Sequence, residues 1–159
     1  MKKVTNDGAV KHSGDDTSGA GKGDDETIRI HLPQVSMNVD TIWPVITIYT
    51  RNHQFDDVRN AYTRILDPKS RNEFCRFNLS DNKDNVSTGS IVGCIKRNGD
   101  SWTFKAMGYY CTNADTCDDV IPRIKEIMNN DLKKIVILKK GQKFGKKGGS
   151  SNESCCSIF

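Results

Sequence analysis

Apolar and polar residues alternate along much of the chain, and this pattern predicts short β-strands. Over 27–32 the alternation puts Ile28, Ile30 and Leu32 on one side and polar residues on the other, which indicates a half-buried strand. Other predicted strands are rich in β-branched and aromatic residues. They cover 42–49, 61–66 and 74–79.

A β-hairpin is predicted where two alternating runs, 90–96 and 101–107, flank the sequence RNGD at 97–100. Asn-Gly is the strongest short hairpin signal, because both residues accept the positive φ angles of a tight turn. Trp102 and Phe104 lie on one side of the second run, so both are expected in the core.

One helix is predicted after these strands. Apolar residues recur at helical spacing from Val120 to Met128. Asp118 or Asp119 is the expected cap, and Pro122 is expected in the first turn, where its missing N–H costs little. Many short strands and one short carboxy-terminal helix predict an all-β fold of the β-sandwich type.

Residues 14–26, GDDTSGAGKGDDE, form an acidic, glycine-rich stretch that cannot pack a core. It contains five acidic residues, four glycines and no large apolar residue. Crowded carboxylates repel one another unless a cation lies among them, and calcium prefers oxygen ligands of this kind. A solvated acidic loop is the alternative, since polar and glycine-rich segments are typical of disorder.

Other phosphate- and cation-binding motifs do not fit this stretch. Its three closely spaced glycines, at 19, 21 and 23, lack the preceding strand and following helix of a dinucleotide site. Lys22 is followed by glycine instead of Ser or Thr, which excludes a P-loop. The spacing of the acids also excludes an EF-hand.

Four segments together resemble the TerD family of tellurium-resistance and stress-response proteins. The first, NDGAVKHSGDDTSGAGKGDDETIRIHL at 6–32, is similar to the family signature, in which an acidic, glycine-rich loop leads into a strand. The others are VITIYTRNHQFDDVRNAYTRILD at 45–67, RFNLSDN at 76–82 and STGSIVGCIKRNGDSWTFKAMG at 87–108. The resemblance extends over 6–128.

This resemblance implies a TerD-like β-sandwich that binds calcium through acidic loops and has no demonstrated catalytic activity. Cyclic AMP is an alternative ligand, because some eukaryotic relatives are described as binding it. Asp16 stands where the family usually has Asn. The metal-ligand candidates carried over position by position are Asp15, Asp24, Asp25 and Glu26, and Asp16 is added to them. Asp81, in a second polar loop at 80–88, would complete the site, and a solvated loop is the alternative there.

The chain departs from the family pattern on its amino-terminal side. The family's domain normally begins well upstream, with strands and another acidic loop. A sheet edge without those strands has to be covered or paired, so we expect a dimer or a shortened gene product. The expected organisation is a loose segment over 1–13, the shortened domain over 14–130 and a basic tail over 131–159.

The cysteines and the other reactive side chains favour a cytosolic binding module over an enzyme. The amino terminus has no apolar run of the signal-peptide type, and six cysteines without such a signal indicate reduced thiols. Cys75 and Cys94 are expected in the core. The pattern contains no nucleophile–base pair and no zinc spacing. His12, beside the acidic stretch, is a weaker candidate for contact with a ligand.

Positive charge is concentrated at the carboxy-terminal end. Residues 131–159 hold seven lysines against two acids, while 1–130 carry a net charge of −1. Nucleic-acid-binding domains spread basic residues over a face with aromatics among them, so we expect no nucleic acid. The apolar run 135–138 is expected to be a strand or an interfacial patch. The lysines predict contact with an anionic membrane: Lys133, Lys134, Lys139, Lys140, Lys143, Lys146 and Lys147.

The final residues, CCSIF, predict a lipid anchor. Cys156 with Ser-Ile-Phe after it fits a prenylation box, and the terminal Phe favours geranylgeranyl. Stable anchoring needs a second signal, which the lysines or palmitoylation of Cys155 would provide. A chance cysteine at this position is the alternative. The expected location is the cytosolic face of a membrane.

Three functions follow from these features. The first is a calcium-responsive TerD-type module on a membrane, and the second is a receptor for a small ligand such as cyclic AMP. The third is a degenerate scaffold that only binds a protein partner.

Overall fold

The structure, a computed structural model, describes residues 4–14, 24–50, 52–58, 60–79, 86–139 and 155–158, with the backbone alone for 131–139 and 155–158. These residues form nine strands, one α-helix and two short 3-10 helices. The strands are β1 (Val10–His12), β2 (Ile28–Ile30), β3 (Thr41–Ile42), β4 (Val45–Thr47), β5 (Tyr62–Leu66), β6 (Glu73–Asn78), β7 (Ser87–Asn98), β8 (Ser101–Thr112) and β9 (Cys155–Ile158). Helix α1 is Cys117–Lys139, and the 3-10 helices are Leu32–Gln34 and Phe55–Asp57.

Three antiparallel sheets contain these strands. The largest has the order β3-β7-β8-β9, and β4 pairs with β7 on the same side as β3. Strands β1 and β2 form one two-stranded sheet, and β5 and β6 form another. The prediction of an all-β fold with one helix is confirmed, although the helix has 23 residues and is not short.

A proline divides the strand predicted over 42–49. Trp43 and Pro44 separate β3 from β4 because proline has no N–H to donate to a strand ladder. The carbonyl of Pro44 still accepts the N–H of Val92 at 3.0 Å, so both short strands remain attached to β7.

The predicted hairpin is formed by β7 and β8, with its turn one residue later than the sequence pattern indicates. Asn98 pairs with Ser101, so the loop consists of Gly99 and Asp100. Gly99 has φ 60°, whereas Asp100 is not among the residues with positive φ. This is the requirement of a type II′ turn, which places glycine at the first central position.

Strand β7 is the centre of the packing, and it is buried continuously from Gly89 to Ile95. Gly93 allows the ring of Phe104 to lie against this strand. A Cβ at position 93 would lie 2.5 Å from Phe104 Cε2 and 2.6 Å from the carbonyl oxygen of Lys105. Phe104 is only 1% exposed, so this contact is part of the core.

Two hydrophobic clusters lie along β7. Around Ile95, the first cluster joins β8 to partly buried residues of the two small sheets. Around Ile91, the second joins the sheet to α1 through Val120, Ile124 and Ile127. The core predictions for Cys75 and Cys94 are confirmed, since Cys94 is 7% exposed and Cys75 packs against the first cluster.

Helix α1 begins with a polar contact that differs from the predicted cap. Asp118 and Asp119 lie inside its first turn, and the Asp119 carboxylate accepts the N–H and the hydroxyl of Thr116, both at 2.8 Å. Pro122 is the sixth helical residue, so it lies in the second turn and not in the first. Met128, predicted on the buried side, is 41% exposed.

The ends of the chain also differ from the predictions. The segment predicted to be loose contains β1, and Ala9 is 2% exposed in the first cluster. The run 135–138 is helical, since α1 continues to Lys139, so the strand prediction there is wrong. By helical spacing, positions 135 and 138 lie along the same line of α1 as Ile124.

Candidate functional site

The acidic stretch is the connection between β1 and β2. His12 pairs with Ile28 at the last position of this hairpin, and the connection covers 13–27. Ser13 and Thr27 close its base: the Ser13 N–H donates to the Thr27 carbonyl, and the Thr27 N–H donates to Ser13 Oγ, both at 2.9 Å. The two ends of the acidic stretch are therefore held together by the fold.

Asp24 is bound to the neighbouring β5–β6 hairpin through Arg64 of β5. Arg64 Nη2 donates to Asp24 Oδ2 at 2.9 Å, and Arg64 Nε donates to Asp24 Oδ1 at 3.1 Å. The Tyr62 hydroxyl also donates to Oδ1, at 3.3 Å. A planar guanidinium that donates twice to one carboxylate fixes its orientation as well as its distance, so Asp24 connects two separate sheets.

The Asp24–Arg64 pair belongs to a larger charged network on the hairpin. Glu73 accepts from Arg64 at 3.4 Å and from Arg76 at 2.8 Å and 2.9 Å. The Arg76 guanidinium also lies over the Tyr62 ring, 4.3 Å from its centroid. Hydrogen bonds from Arg64 lower the pKa of Asp24, and those from Arg76 lower the pKa of Glu73.

His12 and Glu26 form a second contact at the base of the connection. His12 Nδ1 accepts the N–H of Gly14 at 3.0 Å, so Nε2 is the nitrogen that carries the proton in the neutral ring. Nε2 lies 3.7 Å from Glu26 Oε2. The predicted proximity of His12 to the acidic stretch is thus a contact with one of its carboxylates.

The described residues supply only part of the predicted metal-ligand set. Asp25 is exposed and makes no side-chain hydrogen bond with any described residue, while Asp24 and Glu26 have the partners given above. No group of three or more His, Cys, Asp or Glu side chains comes together within the described ranges. Asp15, Asp16 and Asp81 lie outside those ranges. The carboxylates at 24–26 have the oxygen chemistry that calcium requires.

The basic residues that bind the acidic stretch were not predicted from the sequence. Tyr62 and Arg64 alternate with Thr63 and Ile65 in β5, and Arg64 lies opposite Arg76 in the pairing with β6. The sequence did contain a signal for acidic partners, namely two arginines on the polar side of adjacent strands. Like charges directly opposite each other are destabilising, so this pair requires acidic side chains nearby. Glu73 and Asp24 provide these acids.

The predicted lipidation residues belong to the large sheet. Cys155 and Cys156 are in β9, which pairs antiparallel with β8. Three of the lysines predicted to contact a membrane belong to α1: Lys133, Lys134 and Lys139. The other four, between 140 and 147, lie outside the described residues. Among the helices that are described, none combines the length and the apolar character needed to cross a bilayer.

Comparison with known proteins gives concordant matches over most of the chain. The family model of the TerD domain matches residues 2–114. General stress protein 16U of Bacillus subtilis is 38% identical over 104 residues, which are 64% of this chain and 53% of that protein. Tellurium resistance protein TerZ of Serratia marcescens is 35% identical over 113 residues, covering 71% and 56% of the two chains.

Stress response protein SCP2 of Bacillus subtilis is 38% identical over 119 residues, covering 73% of this chain and 59% of that protein. The chain thus spans only a little over half the length of these relatives.

Proposed function

The chain belongs to the TerD domain family, and from this premise we propose that it is a calcium-responsive, non-enzymatic stress-response module held on the cytosolic face of a membrane. The TerD domain is of the kind found in tellurium-resistance and stress proteins, as the matched relatives are named. Calcium would be the signal, and the carboxy-terminal tail would supply the anchor.

The acidic connection between β1 and β2 carries the calcium part of the proposal. Its ends are joined through Ser13 and Thr27, and the sequence holds five acids between these two residues. Repulsion among these carboxylates is relieved when a cation binds. Asp25 and Glu26 are the described residues that would supply oxygens, and the unmatched charge of Asp25 fits this role.

Asp24 has a different role in this proposal, because Arg64 already donates to both of its oxygens. The guanidinium neutralises one acid and attaches the loop to the β5–β6 hairpin. A change at Asp24 therefore alters folding stability as well as any cation site, and it is a poor probe of calcium binding alone.

The experiment that tests calcium binding is a calorimetric titration of the full chain, together with the variant Asp25→Asn/Glu26→Gln. This variant removes two carboxylates while the Asp24–Arg64 pair is retained. We expect binding and a calcium-dependent rise in Tm for the parent chain, and a large loss of both in the variant. The matched control is Asp40→Asn/Asp100→Asn, which removes the same charge from two exposed positions outside the loop.

Equal calcium responses in the parent chain and the loop variant would remove Asp25 and Glu26 from the proposed site. A parent chain that folds and does not bind calcium would refute the calcium function itself. Cyclic AMP is titrated in parallel, and a rise in Tm with cyclic AMP alone would favour the small-ligand receptor instead.

The membrane part of the proposal depends on the lysines and the cysteines of the tail. Each basic residue near an anionic leaflet contributes about 1 kcal/mol, and a prenyl group on Cys156 would add the apolar anchor. Sedimentation of the full chain, before and after enzymatic prenylation, with vesicles of phosphatidylcholine and phosphatidylserine tests this. Binding that requires both the lipid on Cys156 and phosphatidylserine is expected. No binding by the prenylated chain would refute the tether.

A further inference from the structure

One side of β8 is covered by the carboxy-terminal segment of the same chain. Strand β9 runs antiparallel to β8, with Cys156 opposite Phe104 and Ile158 opposite Trp102. β9 is the outermost strand of this sheet. Trp102 and Phe104 are 4% and 1% exposed, so the backbone that β9 covers borders the core.

The direction of each amide in β8 follows from the pairing of β7. The N–H of Arg97 donates at 2.8 Å to the carbonyl of Asp40, which precedes β3, so Arg97 is not hydrogen-bonded to its β8 partner, Trp102. Hydrogen-bonded and non-hydrogen-bonded pairs alternate along antiparallel strands. The N–H of Trp102 therefore points away from β7 and towards β9, and so does the N–H of Phe104, two residues later. The N–H groups of Thr103 and Lys105 point towards β7.

We propose that the edge of β8 at 102–105 is a docking site for the chain's own lipidation box, and that docking and lipidation of the tail exclude each other. This inference rests on the tail anchor of the proposed function. The backbone of β9 is hydrogen-bonded in the sheet, and an enzyme that modifies Cys156 has to bind the last residues itself. The tail must therefore leave β8 before it is modified.

The modification is a transfer from a prenyl diphosphate, which is the co-substrate. The sulfur of Cys156 forms a bond with the prenyl carbon, the bond from that carbon to the diphosphate oxygen breaks, and the thiol proton leaves to solvent. After transfer, the lipid holds the tail at the membrane and the edge of β8 is left unpaired. An unpaired edge is a template for another extended segment, so lipidation would expose a binding edge on the domain.

Amide hydrogen exchange in the full chain, read residue by residue by NMR, tests the docked state. We expect slow exchange at all four amides of 102–105. The variant Ile158→Pro removes an N–H that points to β8, and it should speed exchange at Trp102 and Phe104 by about tenfold or more. Thr103 and Lys105, which bond to β7, should be unchanged and serve as internal controls.

The control variant is Ser157→Pro. The N–H of Ser157 points away from β8, because its partner Thr103 bonds to β7, and proline is tolerated on the outer side of an edge strand. Exchange at 102–105 should therefore stay slow. Exchange at Trp102 and Phe104 that is fast in the parent chain, or unaffected by Ile158→Pro, would overturn the docked state.

Mutual exclusion is tested by comparing prenyl transfer to the full chain and to a synthetic peptide of residues 148–159. The peptide has no sheet to dock on, so we expect it to be modified faster, and the modified full chain should show fast exchange at Trp102 and Phe104. Equal transfer rates, or slow exchange after modification, would overturn the exclusion. If the prenyl group is transferred neither to the full chain nor to the peptide, the lipid anchor and the exclusion are both refuted. Docking of the tail on β8 is then still decided by the hydrogen exchange at 102–105.

Discussion

The pair formed by Asp24 and Arg64 should stabilise the fold measurably, because it joins the acidic connection to another sheet. The two hydrogen bonds are 2.9 Å and 3.1 Å long, and the side chains are 33% and 24% exposed. Fully exposed ion pairs contribute about 0.2–1 kcal/mol. Because this pair is partly buried and bidentate, its coupling free energy should lie at the upper end of that range, at about 1 kcal/mol.

The assay is a double-mutant cycle in urea, without calcium, using Asp24→Asn, Arg64→Gln and the double variant. Arg64→Gln should cost more than Asp24→Asn, because Arg64 also contacts Glu73. For a chain of this size, a loss of 1 kcal/mol lowers Tm by about 2–4 °C. The matched control is a cycle on Arg123 and Glu126, an exposed pair within one helix, where we expect less than about 0.5 kcal/mol.

A coupling free energy below about 0.3 kcal/mol, no larger than that of an exposed helical pair, would refute the reasoning that this contact attaches the loop. Repeating the cycle in saturating calcium separates two roles of Asp24. If only Asp25 and Glu26 take the cation, the coupling should be unchanged. A smaller coupling in calcium would mean that the ion competes with Arg64 for Asp24.

The other predictions concern the stability of the scaffold. Gly93→Ala should cost about 2–3 kcal/mol in urea unfolding, since its Cβ meets backbone and a buried ring. Gly99→Ala, which meets no atom within 4 Å but has φ 60°, should cost only about 1 kcal/mol, and equal costs would contradict the steric argument. Asp119→Ala should cost about 1 kcal/mol through the lost contact with Thr116, and an unchanged unfolding free energy would show that this contact is not a working cap. Hydrogen bonds lower the pKa of several folded carboxyls, so the stability they contribute is present above their unfolded pKa of about 4 and is lost as pH falls below it. Thermal unfolding from pH 7 to pH 3 should therefore show a fall in Tm that begins below about pH 5, and a flat profile would contradict these shifts. The carboxyls are those of Asp7, Asp24, Asp67, Glu73 and Asp119.

Local patterns were sufficient to predict most of the strands. They also predicted that the acidic stretch leads directly into a strand, which is β2. The β7–β8 hairpin was predictable because alternation and turn chemistry act over a few residues. Its turn was displaced by one residue because Gly99 alone supplies the positive φ that a type II′ loop needs. Trp43-Pro44 likewise carried a visible signal for the break between β3 and β4.

Contacts between distant residues could not be predicted in the same way. Asp24 and Arg64 are 40 residues apart, and no periodicity relates them. Strand β9 follows a basic, glycine-rich stretch that resembles a linker, so its pairing with β8 had no local signal. The end of α1 was underestimated for a different reason: Asn129, Asn130 and Asp131 are weak helix formers, and the helix continues through them to Lys139.

The closure of the acidic connection by Ser13 and Thr27 has a consequence for its evolution. Because the β1–β2 pairing already brings the ends together, the conformational entropy of loop closure is a cost of folding this hairpin and not of binding a ligand. That cost depends only weakly on length, at about 0.6 kcal/mol for each doubling of the loop. Sequences of different length can therefore be inserted between Ser13 and Asp24 with little effect on the stability of the domain, as long as Asp24 keeps its contact with Arg64. The acidic connection can thus diversify in that part while the sheets keep their structure.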